Sequence, residues 1–96
     1  MNKSKYRDYE IEKLCEDLNF IKKYHFILDD RDIKIIYMRL GHYDGHKYTF
    51  ASIGEEIKVR IGLDRNKSIS MNRVTQIYNK LLRKIRKEYL KDMDKL

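Results

Sequence analysis

The sequence predicts a small all-α domain of four or five helices. The chain of 96 residues contains no proline and only four glycines, and Lys, Glu, Ile and Leu are frequent, a composition that favours helices joined by short turns. Apolar residues also recur at steps of three and four along most of the chain, which is the spacing of one helix face. A chain of this length forms a single core, so residues 1–96 are expected to be one domain.

The N-terminal segment, residues 1–27, is predicted to hold one amphipathic helix from about Asp8 to Phe26. Its apolar face packs in the core or contacts another protein. The face is formed by Ile11, Leu14, Cys15, Leu18, Ile21 and either Tyr24 or His25. A single cysteine allows no internal disulfide and favours a reduced, cytoplasmic location. No apolar run approaches the roughly 20 residues of a membrane span, so no membrane partner is expected.

The second segment, residues 28–48, is predicted to be a helix from about Arg31 to Leu40 followed by a loop. Asp29 and Asp30 offer N-cap oxygens, and Gly41 suits the left-handed position that ends many helices. The expected inner face is Ile33, Ile36 and Leu40. Residues 42–48, HYDGHKY, contain an Asp-Gly turn signal. Two histidines and one aspartate are too few for a closed zinc site, so no metal or other cofactor is expected.

A third helix is predicted over FASIGEEIKV, residues 50–59, with Thr49 as its N-cap. Phe50, Ile53 and Ile57 form its inner face. Gly54 lies inside this helix, where glycine costs about 1 kcal/mol relative to alanine. That cost predicts the close approach of another helix at Gly54.

The last predicted helix covers Ser70 to Lys87, continues to about Leu90, and has two distinct faces. The inner face is formed by Val74, Ile77, Tyr78, Leu81, Leu82 and Ile85. The outer face is formed by Asn72, Thr75, Gln76, Asn79 and Arg83. Amide and hydroxyl groups read base edges, and Arg and Lys suit phosphates. Along this helix the amide and hydroxyl residues come first and the cationic residues follow. This order is expected of a recognition helix whose N-terminus enters a major groove. The alternative is a solvated basic helix on a small bundle.

The apolar spacing across residues 49–90 is typical of a helix-turn-helix with an insertion in its turn, residues 60–69. Such turns usually take three or four residues, and this one takes ten. Arg60, Arg65 and Lys67 within it contact a phosphate backbone or are solvated loop charges.

The positive charge is concentrated in this part of the chain. The formal charge is +7 overall. Residues 58–87 hold ten Lys or Arg against one acid, a net of +9, whereas the remaining residues carry 12 basic and 14 acidic side chains, a net of −2. One basic segment on an otherwise slightly acidic chain indicates a polyanionic partner for that segment.

Two stretches of the chain resemble region 4, the promoter-recognition domain of bacterial primary sigma factors. The first begins at Leu28 and reads LDDRDIKIIYMRLGHYDGHKYTFASIGEEIKV; the second, SMNRVTQIYNKLLRKIRK, begins at Ser70. They are similar to the family's L-x-x-R-E, M/L-R-x-G and Y/T-T-L-E-E-I-G patterns and to its R-V-R-Q-I-x-x-K-A-L-x-K-L-R pattern. The combination is far more specific than a generic helix-turn-helix.

The resemblance implies binding to double-stranded DNA at the −35 promoter element and to the β flap of RNA polymerase. The DNA-binding residues it implies, with the insertion charges added, are Thr49, Arg65, Lys67, Met71, Asn72, Arg73, Thr75, Gln76, Asn79, Lys80 and Arg83. Of these, Met71, Asn72, Thr75 and Gln76 take the base-contacting positions. The candidate polymerase contacts are Ile33, Ile36, Tyr37 and Leu40.

The chain departs from the family at several positions. Met71 and Asn72 stand where the family usually has Arg-Glu, and Thr75 stands where it has Arg, so the DNA sequence read should differ. Lys58 stands at a turn position where many relatives have glycine. The chain has no room for the domain that opens the −10 element, so a separate region-2-like sigma subunit is expected to supply promoter melting. Phages carry small sigma-like factors of this kind.

Two other functions remain open from the sequence. One is a dimeric helix-turn-helix regulator that binds DNA without polymerase, and the other is a DNA-packaging or assembly component. An enzyme is not expected, because the histidines lack a plausible nucleophile and orienting carboxylate and no glycine-rich phosphate loop is present.

Overall fold

The computed structural model describes residues 7–60 and 66–95, and it confirms the predicted all-α class. The α-helices are α1 (Asp8–Cys15), α2 (Leu18–Lys22), α3 (Asp30–Leu40), α4 (Phe50–Glu56) and α5 (Met71–Asp94), with a 3₁₀ helix at His25–Ile27. A small antiparallel ribbon, β1 (Lys58–Arg60) and β2 (Asn66–Ser68), lies between α4 and α5. In this part of the chain no helix is long and apolar enough to cross a membrane.

The prediction of a single N-terminal helix is wrong, because the chain breaks at Asp17. The Asp17 side chain accepts a hydrogen bond from the backbone N–H of Asn19 at 2.9 Å and becomes the N-cap of α2. A short acidic side chain competes in this way with the backbone bonds of a continuous helix. The break changes which side chains of the second half of the segment face the core. Tyr24 is buried, whereas Leu18 is 37% exposed.

The ends of α3 are those that the sequence predicts. The Asp29 carboxylate accepts from the N–H of Asp32 at 2.8 Å, and the Asp32 carboxylate accepts from the N–H of Asp29 at 3.3 Å, a reciprocal capping box. Gly41 ends the helix with φ of 87°. The buried side, however, is wider than predicted: Ile35 and Met38 join Ile36 and Leu40 in the core, and Ile33 is only half-buried.

Helix α4 begins as predicted, with the Thr49 hydroxyl accepting from the N–H of Ser52, but it ends early at Glu56. Ile57 is buried in an extended conformation, and the predicted helical residues after it form β1 instead. Strand β1 pairs with β2 in the register Lys58–Ser68, Val59–Lys67 and Arg60–Asn66. Part of the predicted turn is therefore a β-ribbon, and residues 61–65 lie outside the described part.

Helix α5 is the longest element, and the other helices pack along it. All six residues of its predicted inner face are buried, with exposed fractions of 6% or less. The helix also continues to Asp94, past the predicted end near Leu90. Its C-terminal part packs on the N-terminal helices, where the Tyr24 hydroxyl donates to Asp92 at 3.0 Å and the Phe20 and Tyr89 rings meet edge to face.

Candidate nucleic-acid interface

The N-terminus of α5 is fixed to α4 through backbone contacts. The N–H of Ile69 donates to the carbonyl oxygen of Gly54 at 2.9 Å. A Cβ on Gly54 would collide with the carbonyl oxygen of Ile69 and would lie 3.4 Å from a Val74 methyl. The predicted close approach at Gly54 is thus made by the backbone that leads into α5, together with Val74 of α5 itself. One residue later, the Ser70 hydroxyl caps the helix by accepting from the N–H of Arg73 at 3.1 Å.

Most of the predicted outer face of α5 is exposed. Met71, at 54% exposed, begins the exposed surface, and Thr75 and Asn79 are half-buried. Asn72, Gln76 and Arg83 of the predicted outer face are exposed, and the neighbouring Arg73 and Lys80 are exposed as well. A polar and cationic surface about four turns long therefore faces away from the core.

Among the base-contact candidates, Thr75 already uses its hydroxyl proton in a hydrogen bond within α5. Its hydroxyl donates to the carbonyl oxygen of Met71, one turn earlier, at 2.9 Å. The oxygen lone pairs and the methyl group remain available to a ligand. Thr75 can therefore accept a hydrogen bond from a base amino group or contact a thymine methyl, but it cannot donate without breaking its bond to Met71.

The buried side of α5 is held by specific contacts with α1 and α4. The Tyr78 hydroxyl donates to the Glu12 carboxylate at 2.6 Å, and its ring packs 5.3 Å from that of Phe50. Burial, and then this hydrogen bond, raise the pKa of Tyr78 far above its usual value. The guanidinium of Arg39 lies 4.0 Å from the centre of the Phe50 ring and donates to the carbonyl of Tyr48. These contacts set the rotation of α5 and so decide which residues face outward.

A shallow groove of about 160 Å³ runs between the start of α3 and the outer face of α5. Its polar lining is Asp29, Arg31, Asp32, Arg73, Gln76, Lys80 and Lys84. The two carboxylates are engaged in the capping box, and the guanidinium of Arg31, whose side chain is 47% exposed, lies 4.0 Å from the Asp32 carboxylate. Four cations beside an exposed glutamine amide suit a phosphate next to a base edge.

Arg31 and Lys84 line this groove but do not belong to the predicted DNA-binding set. The signal for Lys84 was present, since it lies four residues after Lys80 on the same helix face. Arg31 carried no such signal, because its position beside α5 depends on how α3 packs.

Thr49, another predicted DNA-binding residue, lines a different pocket, together with Glu12 and Arg39. Thr49 is exposed, but its hydroxyl accepts from the Ser52 N–H at 3.1 Å and donates to the Ser52 hydroxyl at 2.9 Å. Lys67 stands on β2 opposite Val59. Arg65 lies outside the described residues.

The candidate polymerase contacts divide into two pairs. Ile36 is fully buried and Leu40 is 8% exposed, so both pack in the core of the free chain. Ile33 and Tyr37 are half-buried, and the Tyr37 hydroxyl is hydrogen-bonded to Nε2 of His25 at 2.9 Å. Only Ile33 and Tyr37 of the four reach the surface.

The loop after α3 is tied down by its own side chains. The Asp44 carboxylate accepts from the Tyr48 hydroxyl at 2.6 Å and from the N–H of His46 at 3.0 Å. These bonds lower the pKa of Asp44, and the hydrogen bond to Asp44 raises the pKa of Tyr48 to about 12. His42 Nε2 is bonded to the carbonyl of Cys15 at 2.9 Å. Within residues 7–60 and 66–95, no group of three or more His, Cys, Asp or Glu side chains is placed to hold a metal ion.

No protein-family model, curated protein or solved structure matches this chain.

Proposed function

We propose that this chain is a sequence-specific DNA-binding transcription factor, similar to sigma region 4, that recruits RNA polymerase to promoters. The observation that supports this proposal best is the separation of the two faces of α5. The apolar face is buried along its whole predicted length, and the face with amide and cationic side chains is exposed. A helix held rigidly from behind, with base-reading groups at its capped N-terminus, has the form needed to enter a major groove.

In this proposal the first two turns of α5 read the DNA sequence. The amides of Asn72 and Gln76 each offer a donor and an acceptor, which matches the edge of adenine. Thr75 accepts from a base amino group or contacts a thymine methyl, and the exposed Met71 offers a further apolar contact. Since no arginine occupies these positions, the preferred site should lack the usual arginine contacts to guanine and should be rich in A·T pairs.

The cations around these residues bind the phosphates. Arg73 and Lys80 line the groove beside Gln76, and Arg31 and Lys84 line the same groove. Arg83 lies one turn beyond Lys80 along the outer face, and Asn79 adds a half-buried amide. These contacts position the helix without reading sequence, and they make binding dependent on salt.

The proposal also includes two protein partners. The β flap of RNA polymerase would contact α3 through Ile33 and Tyr37, which reach the surface, and a separate region-2-like subunit would open the promoter. Because the DNA-reading residues lie on α5 and the proposed polymerase contacts lie on α3, the two activities should be separable by mutation.

Affinity purification from the native cell tests this function. Tagged wild-type protein should bring down polymerase subunits together with a limited set of DNA sites. The double variant Asn72→Ala/Gln76→Ala should still bring down polymerase but should lose the enrichment of those sites. The exposed amide of Asn19 on α2 provides a control, since Asn19→Ala should change neither result.

Three outcomes would contradict the proposal. Recovery of DNA without polymerase, as a dimer on a palindromic site, would identify an ordinary regulator instead. Binding without preference for any DNA sequence would favour a packaging or assembly role. Absence of duplex DNA from the purified material would exclude all three functions.

A further inference from the structure

The loop between α3 and α4, residues 41–49, carries aromatic rings beside lysine ammonium groups. We propose that this loop binds unpaired nucleotides, in single-stranded DNA or RNA, whose bases stack on Tyr43 and His46. None of residues 41–49, all of which the structure describes, lines the groove beside α5. The inference is therefore independent of the proposed reading of duplex DNA.

The loop has a fixed shape. The N–H groups of His42 and Tyr48 are bonded to carbonyl oxygens of α3, at 2.9 Å each. Between them, Gly45 adopts a positive φ of 85°, which other residues rarely adopt. The Asp44 carboxylate closes the loop by accepting from the His46 N–H and the Tyr48 hydroxyl. Because the loop is ordered before a ligand arrives, binding costs less entropy.

Two rings of the loop face solvent beside a third. Tyr43 is 52% exposed, His46 is exposed, and Tyr48, which contacts both, is half-buried. The Tyr48 ring lies 6.4 Å from that of Tyr43 at 81°, and 5.1 Å from that of His46 at 76°. Since both pairs meet at steep angles, neither exposed ring is stacked in parallel on Tyr48. Exposed aromatic rings are the surfaces on which successive bases of a single strand stack.

Positive charge lies beside both exposed rings. The Nζ of Lys34 is 5.7 Å from the centre of the Tyr43 ring, a cation–π distance. Lys47 follows His46 in the chain, and its side chain is 68% exposed. Its Nζ is 4.0 Å from the Glu16 carboxylate, an exposed pair of the kind that solvent screens. Each exposed ring therefore has an ammonium group nearby, which suits the repeating base and phosphate of a nucleotide strand.

These features favour an unpaired strand over the two other ligands that could meet the loop. Bases within a duplex are stacked on their neighbours, so only an unstacked base can lie on a side chain. A protein partner would need an acidic side chain opposite each lysine, whereas a nucleic acid supplies a phosphate with every base. Asp44, the acid of the loop, is engaged by its hydrogen bonds to His46 and Tyr48.

Binding of short, labelled, single-stranded oligomers of thymidine and of uridine at low salt, followed by fluorescence anisotropy, tests the inference. The variant Tyr43→Leu removes a ring and keeps an apolar side chain. A matched variant, Tyr9→Leu, removes a ring that is 66% exposed on α1. The variant Lys34→Gln/Lys47→Gln removes the two ammonium groups.

Tyr43→Leu should weaken binding to the oligomers by about 5- to 150-fold, the range expected for the loss of one stacked base, without changing the affinity for duplex DNA. Tyr9→Leu should bind as wild type does. Lys34→Gln/Lys47→Gln should lower the slope of log K against log salt by about 1.4, since each phosphate contact with a single strand contributes about 0.7. Tighter binding of the uridine oligomer would assign the site to RNA, and tighter binding of the thymidine oligomer would assign it to DNA.

Nuclear magnetic resonance of the wild-type protein gives a second test that needs no variant. The ring protons of Tyr43 and His46 should shift upfield when an oligomer is added, because a stacked base shields them. Ring resonances that do not move while the oligomer is bound would overturn the inference, since the strand would then lie elsewhere on the protein.

The outcomes separate this inference from the proposed function. Equal affinity of Tyr43→Leu and wild type for the oligomers overturns the loop site, and so does an equal loss in Tyr9→Leu. Absence of single-strand binding by the wild-type protein also overturns it and would indicate a protein partner for this surface instead. Failure of the wild-type protein to bind duplex DNA overturns the proposed function alone. The variant Asn72→Ala/Gln76→Ala should lose its duplex sites and keep the wild-type affinity for the oligomers.

Discussion

The backbone N–H of Ile69 donates to the carbonyl oxygen of Gly54 at 2.9 Å, although Gly54 lies in α4 and Ile69 precedes α5. The contact is close enough that a Cβ on residue 54 would collide with the Ile69 carbonyl. Although they are far apart in the sequence, these two residues set the separation of the two helices. The orientation of the proposed DNA-reading face therefore depends on a position that has no side chain.

The substitution Gly54→Ala should destabilise the protein even though alanine favours helices. The helix would gain about 1 kcal/mol of propensity, but the new methyl group meets backbone, which cannot move aside as a flexible side chain does. Overpacking of this kind costs about 1–3 kcal/mol, so we expect a net loss. Thermal unfolding followed by circular dichroism measures this loss of stability. Each kcal/mol lost should lower the Tm by about 4–8 °C. Glu55→Ala, at the next and exposed position, is the control, and an equal or higher Tm for Gly54→Ala would contradict the steric argument.

The substitution Tyr78→Phe should destabilise the packing of α1 on α5. It removes the hydroxyl that donates to Glu12 at 2.6 Å while it keeps the buried ring. A hydrogen bond to a charged group contributes about 1.5–3 kcal/mol, and we expect a loss of that size in urea unfolding. Tyr9→Phe, at a side chain that is 66% exposed, should have almost no effect. Equal stability of Tyr78→Phe and wild type would show that water replaces this bond at no cost.

The caps and the inner face of α5 follow directly from the sequence because they depend on local rules. Ser70, Thr49 and Gly41 act within three or four residues of the helix ends that they define. The apolar spacing of α5 gives one continuous stripe, and its six residues are all buried. Local chemistry and helical periodicity are enough for these features.

The features that the sequence did not predict depend on competition or on distant packing. At Asp17 a side-chain hydrogen bond replaces a turn of helix, and the apolar spacing on either side gives no sign of the break. Ile33, which the spacing places on the inner face of α3, is only half-buried, whereas Ile35 is fully buried. Arg31 reaches the groove beside α5 only because α3 packs there. The first outcome comes from local competition for a hydrogen bond, and the other two depend on residues far away in the chain.

Alkaline pH should destabilise the protein through three buried groups. Burial raises the pKa of Cys15 to about 12, and burial and then carboxylate hydrogen bonds raise the pKa values of Tyr24 and Tyr78. The unfolded chain loses these protons first, near pH 8.5 for cysteine and about 10 for tyrosine. Stability is therefore fully present below those values and falls as pH rises through them, by up to about 1.4 kcal/mol per pH unit for each group.

Urea unfolding between about pH 7.5 and 11.5 measures this dependence. Cys15→Ala should delay the onset of the decline from about pH 8.5 to about pH 10, and Tyr78→Phe should reduce the slope above about pH 10. Stability that stays constant over this whole range would show that none of the three groups is protonated more strongly in the folded state.

The substitution Gln76→Ala should weaken binding to the selected DNA site and leave binding to random duplex unchanged. Gln76 is exposed, lines the groove beside Arg73 and Lys80, and carries no charge, so its removal takes away base contacts without altering the phosphate contacts. A good amide–base pair contributes about 1–3 kcal/mol of discrimination, and the affinity for the selected site should fall by that amount. Lys80→Ala, one turn along the same face, should instead weaken both duplexes and lower the salt slope by about one. If Gln76→Ala weakens both duplexes equally, as Lys80→Ala is expected to do, then Gln76 does not read bases, and the sequence-reading part of α5 must lie elsewhere on its outer face.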